Sequence, residues 1–428
     1  MGGKNWAGRV PDNWNLVRFS KAYSFSRGLD IKKQDLSDHG LPVISYGQIH
    51  AKDNPGVRVS DRHIRYIPEE LVKEAQLGRA LLEKGDIIFA DTSEDIEGVG
   101  NMMRAAGGST LYAGYHALIA RPSAEFRHKY MAYQMISPCW RQQIQRSVQG
   151  VKVYSITQRI FNEVTILQPP RDEQRIIARF LDLKTAEIDA LIEKLQREVE
   201  LLERYRRELI VHTVTRGLDP DVPMRDSGVE WIGEAPSTWR PLRISALYDL
   251  RSQKVSDKEY PPLSITMNGV VPQLETVAKT NDGDNRKLVR SGDFVINSRS
   301  DRRGACGISP QDGSCSLINI VLTPKHSINN RYFSYLFRST LFADEFYRWG
   351  HGIHDDVWTT NWNDMKSIQV PVPPLEDQET IANYLDDRMA QTDSTVSGIR
   401  KQIELLGKYR KQVISDAVTG KVRVGEVA

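Results

Sequence analysis

The densest group of chemistry-bearing side chains is Asn297, Arg299, Arg302 and Arg303, with three guanidiniums inside five residues. A guanidinium offers a planar fork of donors that can meet the O6 and N7 acceptors of a guanine edge in a DNA major groove. The same arginines can instead pair with Asp301 and solvent, and spacing alone does not choose between the two. In the first half, Lys32, Lys33, Gln48, His50, Lys152 and Tyr154 are polar or aromatic residues in expected loops. They can supply phosphate or base contacts only if the fold gathers them. Trp6 and Trp14 recur as Trp231 and Trp239. Indole rings can stack on bases, but recurrence beside Gly and Pro in both halves points to packing.

Other chemistries find no motif. No Gly-x-x-x-x-Gly-Lys-[Ser/Thr] run occurs, and Gly98-Val99-Gly100 does not continue to a third glycine, so neither a nucleotide-phosphate loop nor a dinucleotide fold is indicated. The Pro-Pro pairs continue into Arg171, Leu263 and Leu375, never into the aromatic residue of an amino-methyltransferase motif. His351, His354, Asp355 and Asp356 have ligand chemistry, yet a Gly-flanked polar loop explains them, and no metal site is expected. The three cysteines, Cys139, Cys306 and Cys315, lack Cys-x-x-Cys spacing and leave an odd thiol, which points to reduced residues rather than a disulfide framework. The chain reads as a non-enzyme with no catalytic residues.

The elements that position these residues come in two copies. From Pro169 the sequence aligns without a gap to the segment from Pro373, an offset of 204. Identities include Pro170/Pro374, Gln174/Gln378, Leu181/Leu385, Asp182/Asp386, Asp189/Asp393, Glu200/Glu404, Leu201/Leu405, Leu202/Leu406, Tyr205/Tyr409, Arg206/Arg410 and Thr215/Thr419. The tryptophan motif repeats at an offset of 225, and Gly85-Asp86 returns as Gly292-Asp293 at an offset of 207. The changing offset means that two copies of one scaffold carry unlike insertions.

Each copy of the duplicated segment starts with prolines and an acidic first turn, which marks a helix N-terminus. A spacing of seven then follows: Leu181, Ile188, Leu195, Leu202 and Leu209 in the first copy, with Leu385, Thr392, Ile399, Leu406 and Val413 in the second. That stripe predicts a helix-pairing seam with one polar lapse. A helix from Asp172 to Val214 spans roughly 65 Å, whereas the globular stretch between the copies has a diameter of about 40 Å. The chain must therefore run out along one helix and back along the other, which predicts an antiparallel coiled coil, globular units at its two ends and near-cyclic pseudo-two-fold symmetry. Expected boundaries are 1–168 for the first globular unit, 169–218 for the central helix, 219–372 for a linker and the second unit, and 373–428 for the C-terminal helix and tail. Short β-branched runs such as Pro42 to Tyr46 and Ile318 to Leu322 predict a small mixed α/β unit with a twisted sheet in each half.

Charge follows the same division. Residues 1–168 hold 22 Lys/Arg against 17 Asp/Glu and residues 231–372 hold 17 against 15, while 169–230 and 373–428 hold 11 against 14 and 8 against 9. The net charge of +3 is too small to establish a polyanionic partner, but the basic excess sits in the variable units. With 428 residues, 40% of them apolar and 26% charged, the sequence fits a multidomain globular chain. No apolar run suits a membrane helix and no signal layout opens the sequence, so a cytoplasmic location is expected.

The duplicated helix with its Pro-Pro start ending at Gln174 and Gln378, the segment Asp226 to Gly233 before Pro236 and Trp239, the Tyr-Arg-[Arg/Lys] runs at Tyr205 and Tyr409, and the Gly-Asp strand of each variable unit resemble the specificity subunit (HsdS) of type I restriction-modification systems. The resemblance covers essentially the whole chain. It implies two target-recognition domains, each reading one half of a bipartite asymmetric double-stranded DNA site, with the helices as spacer ruler and dock for two methyltransferase (HsdM) subunits. It further implies restriction (HsdR) subunits as partners, with S-adenosylmethionine, ATP and Mg used by those partners and no cofactor in this chain. A rival reading is a duplicated coiled-coil adaptor whose insertions bind peptides and which has no DNA specificity.

Overall fold

The structure, a computed structural model, describes residues 6–123, 128–150, 152–273, 283–325, 328–352 and 358–424. The chain divides into two compact units, one made of residues 1–194 and 401–428 and the other of residues 195–400. Each long helix therefore contributes one part to each unit.

Each unit is built around a four-stranded antiparallel sheet. In the first, β1 (Tyr23–Arg27), β2 (Ile87–Ala90), β3 (Met102–Arg104) and β4 (Ala117–Pro122) lie in the order β1-β4-β2-β3. In the second, β5 (Tyr248–Leu250), β6 (Phe294–Asn297), β7 (Cys306–Ile308) and β8 (Asn319–Pro324) lie in the matching order β5-β8-β6-β7. Side chains alternate between the two faces of a strand, and here both faces are covered, which is why the central strands are unbroken apolar runs. Ile87 and Phe89 face one apolar cluster and Ile88 and Ala90 another. Phe294 and Ile296 are likewise separated from Val295.

The Gly-Asp repeat is a structural device. Gly85 and Gly292 adopt φ values of +99° and +87°, in a region that L side chains avoid. Asp86 then accepts from the Glu83 amide at 2.8 Å and from Arg121 Nη2 at 2.9 Å. Asp293 accepts from the Arg290 amide at 2.8 Å and from Arg251 Nε at 2.6 Å. Both carboxylates are buried, and a buried carboxylate requires such partners.

The central helix runs Arg171–Arg216 and the C-terminal helix Leu375–Val418, 46 and 44 residues long. In the second unit Arg400 pairs with Glu203 and Arg206 with Asp393, both at 2.7 Å, so the number on one helix falls as the other rises and the pairing is antiparallel. In the first unit the symmetry-related pair, Arg410 with Asp189, is bidentate at 2.8 and 3.1 Å. The repeated Tyr-Arg run thus supplies an interhelix ion pair in each unit. Along the seam Leu181, Ile188, Leu385 and Ile399 are buried, while Leu195, Leu202, Leu209, Leu406 and Val413 are half-buried, as a two-stranded pairing leaves them. Thr392 is buried too, its hydroxyl donating to the Arg388 carbonyl at 2.8 Å.

Other repeated residues tie helices to sheets. Gln174 Nε2 donates to the Pro169 carbonyl and Gln378 Nε2 to the Pro373 carbonyl, both at 2.8 Å. Asp182 accepts from Tyr133 at 3.0 Å and pairs with Lys129, while Asp386 accepts from Tyr335 at 2.7 Å and pairs with Arg331. Trp14 meets Tyr130 edge-on at 6.4 Å and Trp239 meets Tyr332 in the same way at 6.4 Å. The indole N–H of Trp6 donates to Thr165 Oγ1 and that of Trp231 to the Gln369 carbonyl, each at 3.0 Å. The four tryptophans are packing residues, as their recurrence indicates. The first unit's Pro42 to Tyr46 run is strand only over Leu41–Ile44, because Ser45 caps a short helix, Tyr46–Ile49.

Candidate nucleic-acid interface

In the second unit β6 and β8 end side by side, with Asn297 opposite Asn319. Beyond them opens a cleft of about 590 Å³ whose lining includes Asn297, Asn319, Arg299, Arg302, Arg303 and Gln273. The four residues singled out in this half of the sequence are therefore gathered at one site. Asn297 is held by its own turn, its side-chain oxygen accepting from the Arg299 amide at 3.0 Å. Arg302 lies 3.8 Å from Asp301 with both side chains well exposed, a weak contact easily exchanged for a phosphate or base edge. Arg303 is paired with Asp344 and stands over the Tyr347 ring at 5.6 Å, so its guanidinium is already oriented. Asn319 Oδ1 is buried with no hydrogen-bond partner among the described residues.

The first-unit candidates do not assemble in this way. The Gln48 side chain caps a helix by accepting from the Ser45 amide at 3.1 Å. His50 Nε2 meets the Thr92 carbonyl at 3.0 Å, which places the proton on that nitrogen, and Nδ1 accepts from Asn101 Nδ2 at 3.1 Å. Both ring nitrogens are thus used by the fold. Lys32 caps a short turn through its backbone amide, bonded to Asp35 Oδ2 at 2.7 Å, and Lys33 is exposed on that turn. Lys152 is exposed near the strand pair in which Tyr154 faces Ser93, so these two do lie by the end of β2.

By register, Ala90 and Ala117 occupy in the first unit the places of Asn297 and Asn319. The next residues outward are Asp91 and His116, where the second unit has Ser298 and Ile318. Asp91 Oδ1 and His116 Nδ1 are 2.9 Å apart, and both side chains are substantially exposed. They line a pocket of about 280 Å³ together with Arg27, Thr92, Ser155 and Gln158. Neither is among the candidates that the sequence offers. The Gly-Asp offset does carry Ser298 onto Asp91, but nothing in the sequence marks His116.

Burial pushes the Cys306 thiol up to about 12 and the Cys315 thiol to about 11, so both are protonated and poor nucleophiles near neutrality. His351 lies 3.5 Å from Asp364, whereas His354, Asp355 and Asp356 fall outside the described residues. Among the described residues no helix is long and apolar enough to cross a membrane.

Comparison with known proteins agrees with this architecture. The chain is 22% identical to a putative specificity subunit of the type I restriction enzyme MjaX from Methanocaldococcus jannaschii, over 98% of this chain and 96% of that one. It is 21% identical to the specificity subunit of the type I restriction enzyme EcoKI from Escherichia coli K12, over 97% and 90%. Among solved structures, a chain of a type I R-M system studied for its complex assembly and conformational transition superposes with a TM-score of 0.65 at 18% identity, covering 97% of this chain and all of that one. The HsdS subunit from Thermoanaerobacter tengcongensis gives a TM-score of 0.52 at 18% identity, over 97% and 98%. The profile of the type I restriction modification DNA specificity domain matches twice, at residues 25–201 and 236–405, once over each variable unit with its helix, and the chain belongs to that family.

Proposed function

We propose that this chain is the DNA sequence-specificity subunit of a type I restriction-modification complex and reads a bipartite, asymmetric target, one half-site per unit. The observation that carries the reading is duplication with contrast. The capping glutamines, Gly-Asp turns, interhelix ion pairs and tryptophan–tyrosine contacts recur in both units, whereas the strand-end rims differ, with Ala90 and Ala117 in one and Asn297 and Asn319 in the other. Equal scaffolds with unlike rims suit two unlike half-sites. Arg299, Arg302 and Arg303 in the second cleft would donate to guanine edges and phosphates, with a salt-dependent affinity. Helix length would set the unread spacer, about two residues of rise matching one base pair of roughly 3.4 Å.

Catalysis falls to partners in this reading: methyltransferase subunits using S-adenosylmethionine, and restriction subunits using ATP and Mg, in the cytoplasm where the DNA lies. Two identical dock sites for the methyltransferase are supported by the repeat itself. The paired residues Gln174/Gln378, Asp182/Asp386, Asp189/Asp393 and Arg206/Arg410 all have internal hydrogen-bond or ion-pair partners. Leu201 and Tyr205 instead remain 44% and 49% exposed, and their counterparts Leu405 and Tyr409 remain 53% and 50% exposed. One helical turn separates leucine from tyrosine in each, which gives two copies of one apolar patch for two copies of one partner.

The test is to co-express the chain with its methyltransferase partner and map methylated adenines genome-wide, before and after exchanging residues 240–368 for those of a relative. One bipartite motif of fixed spacer is expected, with one half altered by the exchange. A motif altered in both halves, or no gene-dependent methylation, refutes the reading; an adaptor without DNA specificity predicts the latter.

A further inference from the structure

The first unit lacks the arginine cluster of the second, and its earlier candidates Gln48 and His50 are committed to internal hydrogen bonds. Its rim nonetheless carries a pair with free capacity. Asp91 and His116 flank the ends of β2 and β4, one residue beyond the Ala90–Ala117 pair. Their carboxylate and imidazole are joined through Oδ1 and Nδ1 at 2.9 Å. Neither Asp91 Oδ2 nor His116 Nε2 has a partner among the described residues.

His116 is the one non-glycine residue among those described with positive φ, at +51°. A non-glycine residue in the left-handed region costs free energy, and such positions persist where surrounding structure enforces them for function. Here the enforcement is visible. The Asp91 amide donates to the His116 carbonyl at 3.1 Å, the Tyr46 amide donates to the Tyr115 carbonyl at 3.2 Å, and the Tyr46 and Tyr115 rings stand 6.1 and 6.0 Å from the imidazole. The ring is held by its neighbours and its outer edge is left open.

The atoms define the ligand. A neutral imidazole that donates Nδ1–H to a carboxylate presents Nε2 as an acceptor across the ring, and the carboxylate keeps Oδ2 as a separate acceptor. Either can accept the one N–H that base pairing leaves free on the N4 amine of cytosine or the N6 amine of adenine, and both repel the O6 and N7 acceptors of guanine. The second unit's rim is the converse, rich in donors. Resting on the proposed DNA-reading role, we infer that Asp91 and His116 form the base-reading pair of the first half-site and select one amino-bearing base through the major groove.

The experiment uses the full chain assembled with its methyltransferase partner and duplexes in which each position of the mapped target is replaced by the other three bases. The parent complex is expected to lose about 5- to 150-fold in affinity when one cytosine or adenine of the first half-site is replaced. Asp91→Asn replaces an acceptor atom by a donor without changing shape. His116→Asn removes the imidazole while retaining a residue that tolerates left-handed backbone. Each variant should flatten discrimination at that position to within about threefold while the second half-site and the salt dependence stay unchanged. Discrimination retained at every position by both variants, or lost equally at all positions, overturns the inference while leaving the specificity role intact. If the parent complex itself shows no bipartite preference, the role fails first. Assembly with the partner, measured alongside, identifies a variant that has misfolded, and the other variant then decides.

Discussion

Gln378→Met isolates one hydrogen-bonded junction with little change in volume. The side chain is only 1% exposed; Nε2 donates to the Pro373 carbonyl at 2.8 Å, and Oε1 accepts from the Asn329 amide at 2.8 Å. Asn329 in turn caps the helix Asn330–Arg338, which carries the buried Tyr332, Phe333 and Phe337. Methionine fills nearly the same space and answers neither partner, so a carbonyl and an amide are orphaned. At about 1–3 kcal/mol for each buried unsatisfied group, with some relief from water at the helix end, the loss is about 2–4 kcal/mol. Because the units need not unfold together, a single unfolding free energy is the wrong quantity. Native-state hydrogen exchange resolves the junction: the Asn329 amide, and the helix it leads into, should exchange roughly 30- to 700-fold faster. Gln174→Met should produce a similar local loss at the equivalent helix start. Protection within threefold of the parent in a folded variant would refute the assignment of these glutamines as clamps.

The interhelix ion pairs can be tested by inversion: Arg410→Asp places like charges beside Asp189 and should lower the first unit's thermal stability, and adding Asp189→Arg should recover most of the loss, with a net value of about 1 kcal/mol for the pair and a weaker effect at high salt. No recovery in the double variant counts against the pairing. Tyr409→Ala with Leu405→Ser should leave the chain's own melting nearly unchanged but reduce the bound methyltransferase from two copies to one by mass measurement, and Tyr205→Ala with Leu201→Ser should do the same; retention of two copies by both double variants rejects those patches as docks.

Much of this architecture was legible in the sequence because it was written twice. A residue retained at a fixed offset while its surroundings diverge reveals what the scaffold needs, and Gln174/Gln378, Asp189/Asp393 and Arg206/Arg410 each proved to make one repeated contact. The helices emerged from a seven-residue stripe, although periodicity could not show that Leu195, Leu202 and Leu406 are only half-buried. The residues proposed to read bases are harder to find because they are the parts that differ. Arg299, Arg302 and Arg303 were visible as a cluster of one charge sign close in sequence. Asp91 and His116 were not, since strand register rather than chain proximity joins them across 25 residues. Gln48 and His50 attracted notice by residue type alone, and local capping and hydrogen bonding had already engaged them.

The buried Gly-Asp carboxylates show how two copies of one scaffold can diverge without losing it. Strand register places Arg121 opposite Ser24 in the first unit and Thr323 opposite Asp249 in the second, so Arg121 and Thr323 are equivalent positions on β4 and β8. The first unit neutralises Asp86 from that position. The second neutralises Asp293 with Arg251, just past β5, while Thr323 Oγ1 donates to the same carboxylate at 3.1 Å. One carboxylate needs one cation, and either neighbouring strand can supply it. Arg251→Ser should then cost about 2–4 kcal/mol, below the full penalty for a stranded buried charge because the arginine is partly exposed and water can enter. Adding Thr323→Arg recreates the first unit's arrangement and should restore most of that loss, read from native-state hydrogen exchange of the β6 amides. A double variant no more stable than Arg251→Ser would mean that the two units hold this carboxylate by different physics, and the equivalence of their sheets, on which the placement of Asp91 and His116 rests, would fall with it.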